Sequence, residues 1–121
     1  MPMNFNGKKA IYLQIADLIC DQILLGELEE EGRVPSVRET AAEVEVNSNT
    51  VMRAYDWMQS QQIIYTKRGL GYFVSPGAKQ TIHNVRKEEF VKESVPEIVR
   101  SMQTLGITVS ELTNYINQAI V

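Results

Sequence analysis

Cysteine is nearly absent from this sequence: Cys20 is the only one in 121 residues. No internal disulfide can form, and no set of thiols can hold a metal, which fits a reducing compartment. The plain reading of Cys20 is a small apolar residue on a helix. Histidine is as scarce. His83 stands alone, with no serine or cysteine nucleophile motif beside it, and the carboxylates are scattered in patterns that suit solvated helix faces. No Walker-type loop, dinucleotide fingerprint or zinc spacing occurs. Catalysis, a cofactor and a metal are therefore not expected. No apolar run approaches the roughly 18 residues of a membrane span, and "MPMNFNGKKA" lacks the apolar core of a secretory signal. The expected location is the cytoplasm, with no membrane partner. An excess of positive charge is missing too: 12 Lys and Arg stand against 15 Asp and Glu, a net charge of −3.

What is present is globular composition, 44% hydrophobic and 22% charged, in a length that suits one domain or a small domain with an appendage. Ile11, Ile15, Leu18, Ile19 and Ile23 recur on one face of a first helix, which Gly26 stops. The acidic "GELEEEG" and Pro35 read as an exposed connection. Ser36 with Glu39 three residues later is a capping box, so a short second helix starts there with Val37, Ala41 and Val44 inward. Asn47 caps a third helix that runs to about residue 60, with Val46 and Val51 placed as a hydrophobic staple. Its inward face is Val51, Ala54, Tyr55 and Met58; Ser48, Asn49, Met52, Arg53 and Asp56 are left off the core. "IIYT" and "YFV" around "KRGLG" predict a β-hairpin, and "SPGAKQ" is the best domain boundary, giving residues 1–76 and 77–121.

In the second part, Val91, Val95, Ile98, Met102 and Leu105 keep the rhythm of a helix packed on another helix. Pro96 should kink that segment or start a fresh helix. Gly106 suits a left-handed cap, and Thr108 with Glu111 opens a last helix carrying Leu112 and Ile116. The fold expected is mainly α with a small β-hairpin: a winged helix-turn-helix followed by a two-helix tail.

That layout sets the third helix in the major groove of DNA. Ser48, Asn49 and Thr50 at its amino end offer short polar side chains and free amides to phosphates and base edges. Arg53 lies on its outward face, and Arg38 near the start of the second helix can clamp a phosphate or reach a guanine. Lys67 and Arg68 stand beside Gly69 and Gly71, where absent side chains allow close approach of the backbone. Singly, each of these is an ordinary cap, surface charge or hairpin turn; their order and spacing carry the reading.

The same residues carry a family likeness. "VPSVRETAAEVEVNSNTVMRAY" followed by "RGLGYFV" resembles the winged-helix domain of the GntR family of bacterial transcription regulators, above all the YtrA-type subfamily, over residues 10–75. The short two-helix tail matches as well. The resemblance implies a homodimeric DNA-binding regulator, usually a repressor, acting on a palindromic double-stranded operator, with its dimer built by the tail. It also implies DNA contacts at Ser36, Arg38, Asn47, Ser48, Asn49, Thr50, Arg53, Arg68, Gly69 and Gly71. The chain departs from the pattern where Glu45 and Gln62 replace usual glycines, where Ser48 replaces a frequent proline or arginine, and where Tyr72 replaces a common threonine. Trp57 occupies an often polar position and is expected to be covered by the tail or a partner.

An acidic chain can still bind DNA if its charge is segregated. Residues 1–32 carry two basic and six acidic side chains, residues 33–72 five and four, and residues 73–121 five and five. The acid is thus concentrated away from the expected reading surface, and binding depends on the local field. Two other readings use the same residues differently: a winged helix that binds a protein, and a sensor of a small-molecule effector whose identity the sequence does not give. A tail of about 45 residues is short for enclosing a drug-sized cavity alone.

Overall fold

The computed structural model describes residues 9–120. In chain order these form α1 (Ile11–Leu24), α2 (Val37–Val44), α3 (Ser48–Ser60), β1 (Ile64–Lys67), β2 (Gly71–Val74), α4 (Ala78–Glu89), a π-helical turn (Phe90–Ser94), α5 (Val95–Leu105) and α6 (Val109–Ile120). The class is the expected one, mainly α with one antiparallel hairpin in which Ile64 faces Val74 and Lys67 faces Gly71. The chain divides into two compact units between Val85 and Arg86.

In the first unit, the α1 stripe Ile15, Ala16, Ile19, Cys20 and Ile23 meets Val51, Ala54, Tyr55 and Met58 of α3, all at most 3% exposed. Ala10 gives α1 no side-chain cap, so burial of this stripe is what holds the helix, at about 1.5–3 kcal/mol for each fully buried isoleucine. Trp57 is only partly buried and packs on this same core.

Two boundaries differ from those read in the sequence. Residues 32–34 are not an exposed connection. Val34 is fully buried, Arg33 bridges Phe73, and the bonds Val34 N–H to Tyr72 O and Val74 N–H to Gly32 O are each 2.9 Å. The outer edge of β2 would otherwise leave its backbone groups unpaired, and the short extended run before Pro35 satisfies them. The boundary expected at residues 76 and 77 is a turn inside the first unit, because Ala78 and Ile82, one turn apart on α4, are buried in its core. "SPG" carries a breaker signal whether it ends a domain or only a strand.

In the second unit, Pro96 lies in the first turn of α5, and the π turn precedes it with the Val95 N–H bonded to the Phe90 carbonyl. Proline lacks the donor that an α-helix would aim at residue 92, and a one-residue expansion absorbs that loss without an interruption of the helical backbone. Gly106, at φ 70°, caps α5. Thr108 and Glu111 form the expected box, with the Glu111 N–H 3.1 Å from Thr108 Oγ1. No residue of α5 or α6 is buried.

Tyr55 binds the reading elements together. Its ring is fully buried, its hydroxyl donates to the Pro35 carbonyl at 2.6 Å, and it lies 2.7 Å from the Thr40 hydroxyl of α2. Tyr72 of β2 meets it edge-on with ring centroids 5.0 Å apart. Burial pushes the Tyr55 phenol up to about 12 from 10.0. Replacing Tyr55 by Phe removes both hydroxyl contacts and leaves Thr40 buried without that partner, so chemical denaturation at pH 7 is expected to show a loss of about 1–3 kcal/mol. A phenol whose folded pKa is raised gives stability that is complete below pH 10 and lost as pH rises through 12. The advantage of wild type over Tyr55→Phe should therefore shrink in that window.

Candidate DNA interface

α2 and α3 form a helix-turn-helix whose two amino ends are built by their caps. At α2, Ser36 Oγ accepts from the Glu39 N–H and the Glu39 carboxylate accepts from the Ser36 N–H, each at 3.1 Å. These bonds hold the Glu39 carboxyl below its ordinary range, the backbone bond from Ser36 contributing most. Two residues past the cap, Arg38 is exposed and makes no ion pair among the described residues. At α3, Asn47 Oδ1 accepts from the Asn49 N–H at 2.7 Å, and the Asn47 carbonyl takes the Thr50 and Val51 amides at 3.0 and 3.2 Å. The expected array of free amides is thereby reduced: local bonds occupy those of Asn49 and Thr50, and that of Ser48 is left. Asn47, Ser48 and Asn49 are exposed, and Thr50 is half-exposed.

Along α3 the outward stripe continues at helical spacing through Met52, Arg53 and Asp56, all exposed. Arg53 is not a loose charge, since its guanidinium carbon lies 4.2 Å from the centroid of the Tyr12 ring on α1. Met52 is tied to the hairpin, its sulfur 3.8 Å from the Tyr72 hydroxyl. Tyr72 thus joins the hairpin to both faces of α3, through Tyr55 inside and Met52 outside.

The wing turn is closed by the Leu70 N–H on the Lys67 carbonyl at 2.9 Å. Gly69 and Gly71 have φ of 77° and 106°, where side-chain-bearing residues are strained. Arg68 is exposed at the tip. Lys67 is exposed as well. Strand alternation puts it on the hairpin face opposite Tyr72, with its ammonium 4.4 Å from the Phe73 ring centroid. Its charge is held against an aromatic face that turns away from α3.

Arg33, one of the five basic residues between 33 and 72, lies beside the wing: a side chain at Gly71 would come within 3.8 Å of its Nε. Acid is present on these elements too, since Glu39, Glu43, Glu45 and Asp56 are exposed, but the acidic run 27–31 lies elsewhere. Glu30 accepts from the Gly77 N–H, and Glu29 and Glu30 line a cleft of about 340 Å³ with Ile23, Leu28, Val74, Ala78 and Lys79. That is where β2 hands over to α4, not at the amino ends of α2 and α3.

Among the described residues no helix is long and apolar enough to cross a membrane, and no cluster of His, Cys, Asp and Glu could hold a metal. The helix-turn-helix, the braced wing and the cationic side chains at their exposed ends define a winged-helix DNA-binding protein. Residues 11–74 match the model of the gntR family of bacterial regulatory proteins. The chain belongs to the GntR family of bacterial transcription regulators and is of the YtrA type. It is 38% identical over 112 residues to YhcF of Bacillus subtilis, an uncharacterized HTH-type transcriptional regulator, covering 93% of this chain and 91% of that protein. The HTH-type transcriptional repressor YtrA of Bacillus subtilis is 32% identical over 108 residues, covering 89% and 82%. A crystal structure of a GntR-family protein from Bacteroides thetaiotaomicron is 57% identical, covers 92% of this chain and 96% of its own, and superposes with a TM-score of 0.78.

The turn between α2 and α3 has a cost that can be measured. Glu45, where the family usually has glycine, is left-handed at φ 57° and ψ 49°, and Gln62 after α3 likewise has φ 64°. Glu45→Gly is expected to raise stability by about 0.5–1 kcal/mol in chemical denaturation, strain relief outweighing the added freedom of the unfolded chain. Glu45→Val, branched at a left-handed position, should lower stability by about 1 kcal/mol or more.

Proposed function

We propose that this regulator acts in the cytoplasm as a homodimeric repressor on a palindromic operator. α3 lies in the major groove and the Arg68–Gly71 wing tip against the adjacent backbone. Ser48 and Asn49 reach base edges. Ser36, Asn47 and Thr50 set the helix ends against phosphates, and Arg38, Arg53 and Arg68 supply charge, with Arg33 flanking the wing and Lys67 in a lesser role. The observation that carries this reading is the exposed, unpaired Arg38 beside the two capped helix ends. Repression is supported by the likeness to YtrA, which is a repressor.

The dimer is supported by the tail. Val91, Val95, Ile98, Leu105 and Ile116 are between 38% and 70% exposed, Met102 and Leu112 are half-covered, and α5 and α6 bury nothing between them. An apolar seam so exposed in water calls for a second copy. Two modules related by a dyad also read enough base pairs to select a site, whereas one does not.

A mobility-shift assay on DNA upstream of the chain's own coding sequence tests the proposal, with retardation expected there and not on a scrambled duplex. Protein-interaction winged helices would retard neither. Arg38→Ala should cost about 1–3 kcal/mol of operator binding at matched salt, and equal affinity would remove that residue from the interface. With some six of the dimer's roughly ten cations on phosphates, log affinity against log salt should fall with a slope of about −5. Ile98→Asp sets a charge on the tail seam; sedimentation is expected to find monomers, with operator binding lost, and an intact dimer would exclude the tail as the interface.

A further inference from the structure

We propose that Tyr12 is a positioning residue for DNA binding: its ring holds the Arg53 guanidinium in a fixed plane before DNA arrives. This inference rests on the DNA-binding reading of α3. The Arg53 guanidinium carbon lies 4.2 Å from the centroid of the Tyr12 ring, yet the side chain remains exposed and no carboxylate pairs with it among the described residues. A ring at that distance attracts the guanidinium without a carboxylate or carbonyl taking up its five N–H donors. An arginine that serves only as surface charge has no need of such a platform. One that must deliver a planar fork to a phosphate or a guanine loses less rotamer freedom on binding when it is already held.

The platform is itself fixed. Tyr12 is half-buried against the core, in the first turn of a helix that has no side-chain cap. That turn is secured instead by the nearly buried Gln14, whose Nε2 donates to the Lys9 carbonyl at 2.7 Å, and by the Leu13 and Gln14 amides on the Ala10 carbonyl at 3.0 and 3.1 Å. The start of α1, far from the helix-turn-helix in sequence, thereby sets the geometry of a side chain on the reading helix.

The test is a binding cycle on the full-length protein, using the duplex that wild type selects from a random pool. Tyr12→Leu should weaken binding about two- to fivefold per protomer, the range for an exposed cation–π contact. Tyr12→Phe, which keeps the ring, should bind as wild type does. In the Arg53→Ala background Tyr12→Leu should have no further effect, and Arg53→Lys, which keeps charge without the planar fork, should behave as Tyr12→Leu does. Thermal melts of each variant, with binding measured well below the melting point, separate a loss of fold from a loss of positioning. Tyr12→Leu that leaves binding unchanged while Arg53→Ala weakens it, or two losses that simply add, would overturn the positioning role and leave the DNA-binding reading standing. Wild type that selects no duplex at all would overturn that reading and this inference with it.

Discussion

The buried hydroxyl of Tyr55 has two partners, the Pro35 carbonyl and the Thr40 hydroxyl, and its ring takes a third, the edge of Tyr72. Those contacts reach the segment entering α2, α2 itself and the wing, while the backbone of Tyr55 is α3. A polar group in a core tolerates little displacement, because every alternative arrangement leaves a donor or acceptor without water and without a partner. The relative placement of the helix-turn-helix and its wing therefore depends on one phenol, and the amino ends of α2 and α3 can act as a single surface only while it stays in place.

On that frame, charge is sorted rather than balanced. Glu29 and Glu30 line the cleft beside Gly77 and the start of α4, where Glu30 is bound to the turn. Arg38, Arg53 and Arg68 are exposed elsewhere in the same unit, where residues 33–72 carry five basic and four acidic side chains in a chain of net charge −3. The tail follows a different rule. Its two helices are properly begun and ended by Gly106 and by the Thr108–Glu111 box, yet they bury nothing alone, so their local signals are complete where their packing is not.

How much of this was legible depends on the range of the interaction. Caps and helix faces are local, and Ser36, Asn47, Thr108 and the stripe of α3 are in the fold as read from the sequence. Of the α1 stripe, Ile15, Ile19 and Ile23 are buried, while Ile11 is exposed and Leu18 half-buried because the face is centred on Ala16 and Cys20. The hairpin was placed within one residue at each end. Contacts between distant segments were not legible. The strand pairing of residues 32–34 was hidden because charge and Pro35 mark a loop whether or not a sheet edge is nearby, so the charge of Arg33 was legible and its place beside the wing was not. The face that Lys67 takes was not legible for a related reason: a hairpin turn can be read from glycines, but which side its flanking residues turn toward depends on what the sheet packs against. Glu45 and Gln62 show the converse, since their departure from glycine was visible and their left-handed backbone shows that the fold overrode the preference.

Backbone amide shifts during titration of the labelled full-length protein with an operator duplex test the central claim most directly. The largest changes are expected at Arg38, Ser48, Asn49, Arg53 and Arg68, with residues 27–31 unmoved. Changes confined to the tail or to the acidic cleft around Glu29 and Glu30, with the amino ends of α2 and α3 silent, would contradict it.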